Sequence, residues 1–467
     1  MIDRRLSWMM VLPWLAGCSW NGSAIQPDPG IPAQWPGEEM VRMTPDAEAG
    51  FRPMPWRELY ADPQLRTLIE AALETSRDLR AATARMEKAA ALLGVAGAAR
   101  VPTLQVEAGH LAARTPGDLS SRGQATISHR EDAGLSLPAF EIDLRGRLAN
   151  LEEGARAGYL ASGEATHAAR VVLIAQVAET FVLWREMEER SQLARTALET
   201  QQQARALVGQ RVGAGVAQAQ TGLKAAMVLE GMRADLAETR RQAALARNAL
   251  QLLTGTEPDV SGAWPALAQL DLAARMRLEL PDRVLTQRPD VRAAEQRLLA
   301  ANANIDVARS AFWPRILRTT SAGSASAALS GLFGAGSAAW SFVPRIDLPI
   351  FDLSRRKNEL AAAESERAAL LAEYEKVVQQ AFREVADALT SRGVLEERLQ
   401  ALIANRDAQK SRLSLIEQRY RVGLDGRQAL LEAQQELHTV EQQVRAARAR
   451  VLVNQIQFYK ALGGGVG

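Results

Sequence analysis

The stretch Gln418-Arg419-Tyr420-Arg421-Val422-Gly423-Leu424 has a counterpart in Gln210-Arg211-Val212-Gly213-Ala214-Gly215-Val216, about 210 residues earlier. Each closes a long proline-free run and opens a second helical run. Glycine at such a place accepts the left-handed backbone that ends a helix, which a side chain would strain. The match continues outward in order. Ala98-Ala99-Arg100-Val101-Pro102-Thr103-Leu104 is echoed by Ser310-Ala311-Phe312-Trp313-Pro314-Arg315-Ile316. Phe140-Glu141-Ile142-Asp143-Leu144-Arg145-Gly146-Arg147 is echoed by Ile350-Phe351-Asp352-Leu353-Ser354-Arg355-Arg356. Leu253-Thr254-Gly255 finds its echo in Leu462-Gly463-Gly464. Matches that keep one order describe a duplicated domain, and two long copies are too few for a solenoid.

Each copy follows one plan. A first helix is predicted over roughly 59–99 and 284–312, stopped by Pro102 and Pro314, because proline disfavours helix at the residue before it. Short strands come next. Long helices are predicted over about 145–212 and 354–421, ended by Gly213/Gly215 and Gly423/Gly426, and last helices over 217–253 and 427–461. Leu371, Tyr374, Val378, Ala381, Val385 and Ala388 step by three and four, the seam of a coiled coil. At 1.5 Å per residue such runs reach on the order of 100 Å. The copies are assigned to 59–255 and 284–467, with 256–283 as a proline-containing link.

The strands alternate. Leu104, Val106 and Ala108 oppose Thr103, Gln105 and Glu107. Ala133, Leu135 and Leu137 oppose Asp132, Gly134 and Ser136, and Trp340, Phe342, Ile346 and Leu348 oppose Ser341, Arg345 and Asp347. Lipid-out, water-in alternation is the pattern of outer-membrane barrels, although any single strand would equally suit a soluble core. Ile316–Ala325 alternates poorly. Gly/Ser-rich stretches at about 115–130 and 321–337 are predicted as extracellular loops. Two strands per copy give four per chain, too few to close a barrel. Open edges in lipid would leave backbone groups unpaired, so several chains must contribute strands.

The N-terminus supplies an address. Arg4 and Arg5 precede a short apolar run from Leu6 to Leu15, and then Ala16-Gly17-Cys18. This is the form of an export signal, predicted over 1–17. Leu15-Ala16-Gly17-Cys18 resembles a bacterial lipobox, in which the cysteine sulfur carries the diacylglycerol. Cys18 is therefore the expected lipidation site, followed by an extended tether over 18–58 rich in Pro, Gly and Trp. Beyond the signal no run of about 18 apolar residues is evident, so any membrane crossing falls to β-strands.

Composition excludes other classes. The net charge of +2 gives no footprint for nucleic acid. The single cysteine rules out an intrachain disulfide, and the four histidines show no metal-ligand spacing. Neither a Walker-type loop, nor a G-x-S-x-G elbow, nor HExxH occurs, so no catalytic residue is nominated and no cofactor is expected.

The sequence resembles the TolC-like outer-membrane factors, most closely the lipid-anchored OprM-type members that serve resistance-nodulation-division pumps. The motifs that carry the likeness are Thr286-Gln287-Arg288-Pro289-Asp290-Val291, Ala311–Ile316, Leu348-Pro349-Ile350-Phe351-Asp352, Ala381–Leu389, the Arg419–Gly423 turn and Tyr459–Gly465. The resemblance implies a mainly α chain with a membrane β-barrel. Three copies would form a twelve-helix periplasmic tunnel continuing into a twelve-stranded barrel. It implies a passive duct coupled to a periplasmic adaptor and an inner-membrane transporter, with lipid as its other neighbour and no cofactor. It places adaptor docking at the two turns, on Arg211, Gly215, Val216, Arg419, Gly423 and Leu424, with Tyr420 and Arg421 bracing the closed turn. Glu432, nine residues after Gly423, falls where similar proteins carry an acidic gate residue, although a glutamate on a solvated helix face would read the same. Thr221 stands where first copies in the family often carry an acid, which leaves the first copy without that gate group. Two alternatives remain open, an outlet for type I protein secretion and a non-channel structural lipoprotein.

Overall fold

The computed structural model describes residues 32, 34–35, 54–121, 123–257, 266–270, 272 and 281–465. Helices α1 (Trp56–Leu59), α2 (Pro63–Thr75) and α3 (Arg77–Ala98) lead into strands β1 (Gln105–Thr115) and β2 (Thr126–Ile142). The first hairpin is α4 (Arg147–Gly213) and α5 (Ala219–Thr254). The second copy repeats the order with α6 (Pro281–Gln287), α7 (Pro289–Ser310), β3 (Arg315–Ser326), β4 (Ala338–Asp347), α8 (Leu353–Arg421) and α9 (Arg427–Ala461).

The long helices lie as expected, but each copy's first helix is interrupted. Asp62 Oδ1 accepts from the Leu65 N–H at 2.7 Å and Pro63 occupies the first helical position, so α2 starts afresh. Ser76 Oγ accepts from Leu79 N–H at 3.2 Å and caps α3 one residue after α2 ends. In the second copy the break falls at Arg288, which Pro289 holds extended. At 67 and 69 residues, α4 and α8 each span about 100 Å.

Buried positions along the hairpins fall at coiled-coil spacing. Ala225, Leu229, Leu236, Thr239, Ala243, Ala246 and Leu250 of α5 are buried, as are Ala194, Gln201, Ala204 and Val208 of α4. Polar pairs lace the helices outside these seams. Arg190 Nε donates to Gln442 Oε1 at 2.8 Å, joining α4 to α9, and Arg412 pairs with Glu436 across α8 and α9.

The larger hydrophobic core sits where the pieces overlap. Ile69, Phe181, Trp184, Leu250, Leu452 and Ile456 join α2, α4, α5 and α9. One 18-residue window of α4 proves apolar enough to cross a membrane, contrary to the sequence expectation, but half of it is buried within the chain, and Phe181 and Trp184 of α4 lie in this core. A second cluster centres on Val284, Leu285, Val378, Val385 and Phe458, and Trp35 from the tether stacks on Phe382 there at 4.9 Å.

The four strands form one antiparallel sheet in the order β1-β2-β3-β4, so β2–β3 pairing joins the two copies. The expected loops are shorter than their composition suggested. Thr126–Arg130 belongs to β2 and Ser321–Ser326 to β3, paired backbone to backbone. The poorly alternating segment is thus a strand. It lies between β2 and β4, where a Cβ on Gly323 would come 2.3 Å from the Ala133 carbonyl oxygen. Small side chains there serve close approach of two backbones and hide the alternation. Val106, Leu135, Trp340, Phe342 and Ile346 share the apolar face, with Trp340 80% exposed and Val106 81%. Below the sheet, Arg147 pairs with Glu141 at 2.7 Å, and the Arg145 guanidinium lies 3.7 Å over the Trp313 ring, tying the two copies at the base of their strands.

Candidate functional site: the two helix turns

The turns between α4 and α5 and between α8 and α9 adopt one geometry. The Arg211 carbonyl accepts from Val216 N–H at 2.9 Å, and the Arg419 carbonyl accepts from Leu424 N–H at 2.9 Å. Gly215 N–H donates to the Val212 carbonyl at 3.0 Å, matched by Gly423 N–H to Tyr420 at 3.1 Å. Gly215 has φ 73° and Gly423 φ 78°, and an added Cβ at either would meet nothing within 4 Å. Glycine is therefore held there by its backbone conformation and not by crowding. Both turns expose apolar side chains: Val216 is 67% accessible, Leu424 68% and Val422 70%. Val422 lies inside the turn read from the sequence, Val422–Leu424, but was not singled out there as a contact residue.

The turns differ in one respect. Arg419 donates from Nε to Asp425 Oδ2 at 2.8 Å and from Nη2 to Oδ1 at 3.1 Å, closing the second turn with a bidentate pair. Hydrogen bonding to Arg419 holds the Asp425 carboxyl below its ordinary pKa, and the same bond raises Arg419. Ala217 stands in the corresponding place of the first turn, so Arg211 has no such partner. Asp425 was missed by sequence reasoning; its signal is an acid six residues after the turn arginine and just before the helix restarts. The bracing expected of Tyr420 and Arg421 is not seen within the chain. Tyr420 is half-buried, Arg421 is exposed, and neither side chain makes a hydrogen bond or ion pair with described residues. Within one chain that role falls to Arg419.

Glu432 is exposed on α9 and accepts from Gln428 Nε2 at 2.9 Å. It lines a cleft of about 520 Å³ between the two hairpins, together with Arg211, Thr221, Lys224, Arg427 and Leu431. The structure thus brings the gate candidate close to the turns. Cys18 lies outside the described residues.

Three motifs of the sequence meet at the opposite end of α9. Arg288, 5% exposed, donates Nη1 to the Ala461 carbonyl at 2.7 Å and Nη2 to Glu384 at 2.8 Å, and it forks onto Asp290 at 2.7 and 3.0 Å. Burial works against both charges. The Asp290 and Glu384 bonds nevertheless raise Arg288, and Arg288 lowers Asp290. Just beyond, Tyr459 Oη donates to the Met54 or Gly465 carbonyl (3.0 and 3.1 Å), and Gly465 N–H donates to Met54 at 2.9 Å. The glycine-rich end of the chain is thereby laced to the segment that enters α1.

The sequence matches the family described as outer membrane efflux protein twice, over residues 68–256 and 280–464. The chain belongs to this family. It is 38% identical to the solvent efflux pump outer membrane protein SrpC of Pseudomonas putida, over 98% of this chain and 97% of that one. It is 35% identical to outer membrane protein OprJ of Pseudomonas aeruginosa, over 98% of this chain and 95% of the relative. Among solved structures, the open state of the MtrE outer membrane channel of Neisseria gonorrhoeae superimposes with a TM-score of 0.84 at 33% identity, covering 94% of this chain and 97% of the channel. The likeness drawn from motifs is therefore shown over nearly the whole chain. This outer membrane efflux protein is mainly helical, in two copies of one unit, and its family is one of channels and not of enzymes.

Proposed function

We propose that this outer membrane efflux protein works as a passive exit duct, assembled as a homotrimer and coupled at its helix turns to a periplasmic adaptor and an inner-membrane resistance-nodulation-division transporter. One observation carries the reading: a four-stranded sheet with an apolar outer face and two unpaired edges, β1 and β4, stands on helices about 100 Å long. Such edges need partners in lipid, and three copies supply twelve strands, enough for a water-filled lumen. The exposed Val216, Val422 and Leu424 support docking at the turns, and Tyr420 and Arg421 are free to brace against neighbouring protomers. Glu432 is the gate residue of the second copy. Relatives named for solvent and toluene efflux support small organic cargo. The duct takes no part in chemistry and needs no cofactor. Cys18 carries the lipid that holds the tether to the outer membrane.

Native mass spectrometry and planar-bilayer recording of detergent-purified protein test this together. The expected result is a trimer, each subunit with a diacylglyceryl-modified Cys18, that forms discrete conducting channels. A stable monomer, or a trimer without conductance, overturns the duct.

A further inference from the structure

The two copies keep one register through the turns. With Gly215 set on Gly423, Ala225 falls on Ala433, both buried, and Leu229 falls on Leu437, buried and half-buried. On that register the place of Glu432 is taken in the first copy by Lys224. Each is the sixth residue of its helix, α5 or α9, and each precedes an alanine packed into its own hairpin. Their side chains therefore leave the two hairpins from equivalent faces. Both are exposed, both line the cleft between the hairpins, and no ion pair within the described residues engages either of them. The other charged groups in that cleft are Arg211 and Arg427, so cations outnumber the carboxylate.

We propose that the constriction is a ring of alternating sign, Lys224 with Glu432, and that Lys224 determines ion selectivity and closes the tip by pairing with Glu432. The proposal rests on the duct reading. Three carboxylates converging alone would concentrate cations in a narrow passage. A lysine between each pair cancels that field, and opposite charges brought together at close range favour the closed arrangement. Thr221 then needs no acidic replacement, because the first copy contributes a cation instead.

The test is reversal potential and conductance of purified trimers in planar bilayers under a salt gradient, for wild type, K224E, E432K and the double swap K224E/E432K. K224E is expected to raise the cation-over-anion permeability ratio about threefold or more, because every position of the ring becomes acidic, and to raise resting conductance through repulsion. E432K is expected to shift selectivity the opposite way. The double swap should return both readings close to wild type. Both substituted positions, 224 and 432, are exposed, and trimer migration in detergent checks assembly. If K224E conducts and selects like wild type while E432K shifts selectivity, Lys224 stands off the passage and the ring is acidic only. A double swap whose effects add, where pairing requires them to cancel, also overturns the proposal. In those two cases the duct stands. A wild-type trimer that conducts nothing removes the duct and the ring together.

Discussion

Arg288→Ala is expected to leave little folded trimer in the outer membrane. The guanidinium is buried against the Ala461 carbonyl, while Asp290 and Glu384 keep part of their surface in water, so removing it strands two partly hydrated carboxylates and costs somewhat less than the ~3–5 kcal/mol of a fully buried ion pair. Arg288→Lys keeps a charge but not the fork onto Asp290, and should fall between the two. The measurement is trimer recovered from outer membranes, with the denaturation midpoint of whatever assembles. A variant with wild-type yield and midpoint would show that the cluster is ornamental. The pH dependence gives an independent check. Asp290 is depressed in the folded protein, so its contribution is full above its ordinary pKa near 3.8 and is lost as pH falls through the lower folded value. Acid should therefore weaken the wild type in that window more than it weakens Arg288→Ala.

Blocking both turns is expected to abolish efflux while sparing the protein. Gly215→Trp and Gly423→Trp each place a bulky side chain where open space surrounds the backbone, so the cost is the positive φ alone, roughly 1–2 kcal/mol per site. A chain with cores as extensive as those around Phe181 and Val385 absorbs that. What changes is the outline of six quasi-equivalent tips in a trimer. Each single variant should lower resistance in cells carrying the cognate pump, and the double variant should match cells that lack the duct, at unchanged trimer levels. Full resistance in the double variant would place docking elsewhere on the tunnel.

Long helices and their turns were legible because proline-free apolar periodicity and a glycine stop are local signals. The heptad step through Val378, Ala381, Val385 and Ala388 is indeed the buried side of α8. The breaks at Ser76 and Arg288 were hidden inside continuous helical pattern, since a one-residue cap changes direction without changing periodicity. Strand β3 was expected but its alternation and upper end were masked, because its small residues answer to the neighbouring backbone. The turns were visible as candidates, but the Arg419–Asp425 pair needed the actual path of the chain between them. Lys224 was invisible for another reason: only the register of one hairpin on the other gives a lone lysine its place opposite Glu432. Least legible was Arg288, whose partners lie 96 and 173 residues away. Three motifs that looked separate are one object in space.

The lacing of Tyr459 and Gly465 to Met54 also sets an order of events during biogenesis. These contacts span 405 residues, so the segment entering α1 is made 405 residues before its partner emerges. Closing so long a loop costs more chain entropy than any local contact in the fold. Until it closes, Trp56 and Tyr60 lack the lid that Tyr459 and the glycine run provide. A chain cut short before Tyr459 carries all four strands and both turns, yet the core around Trp56 and Tyr60 stays open. The seal thus acts as a check on the second copy: this core is finished only when the last turn of α9 has arrived.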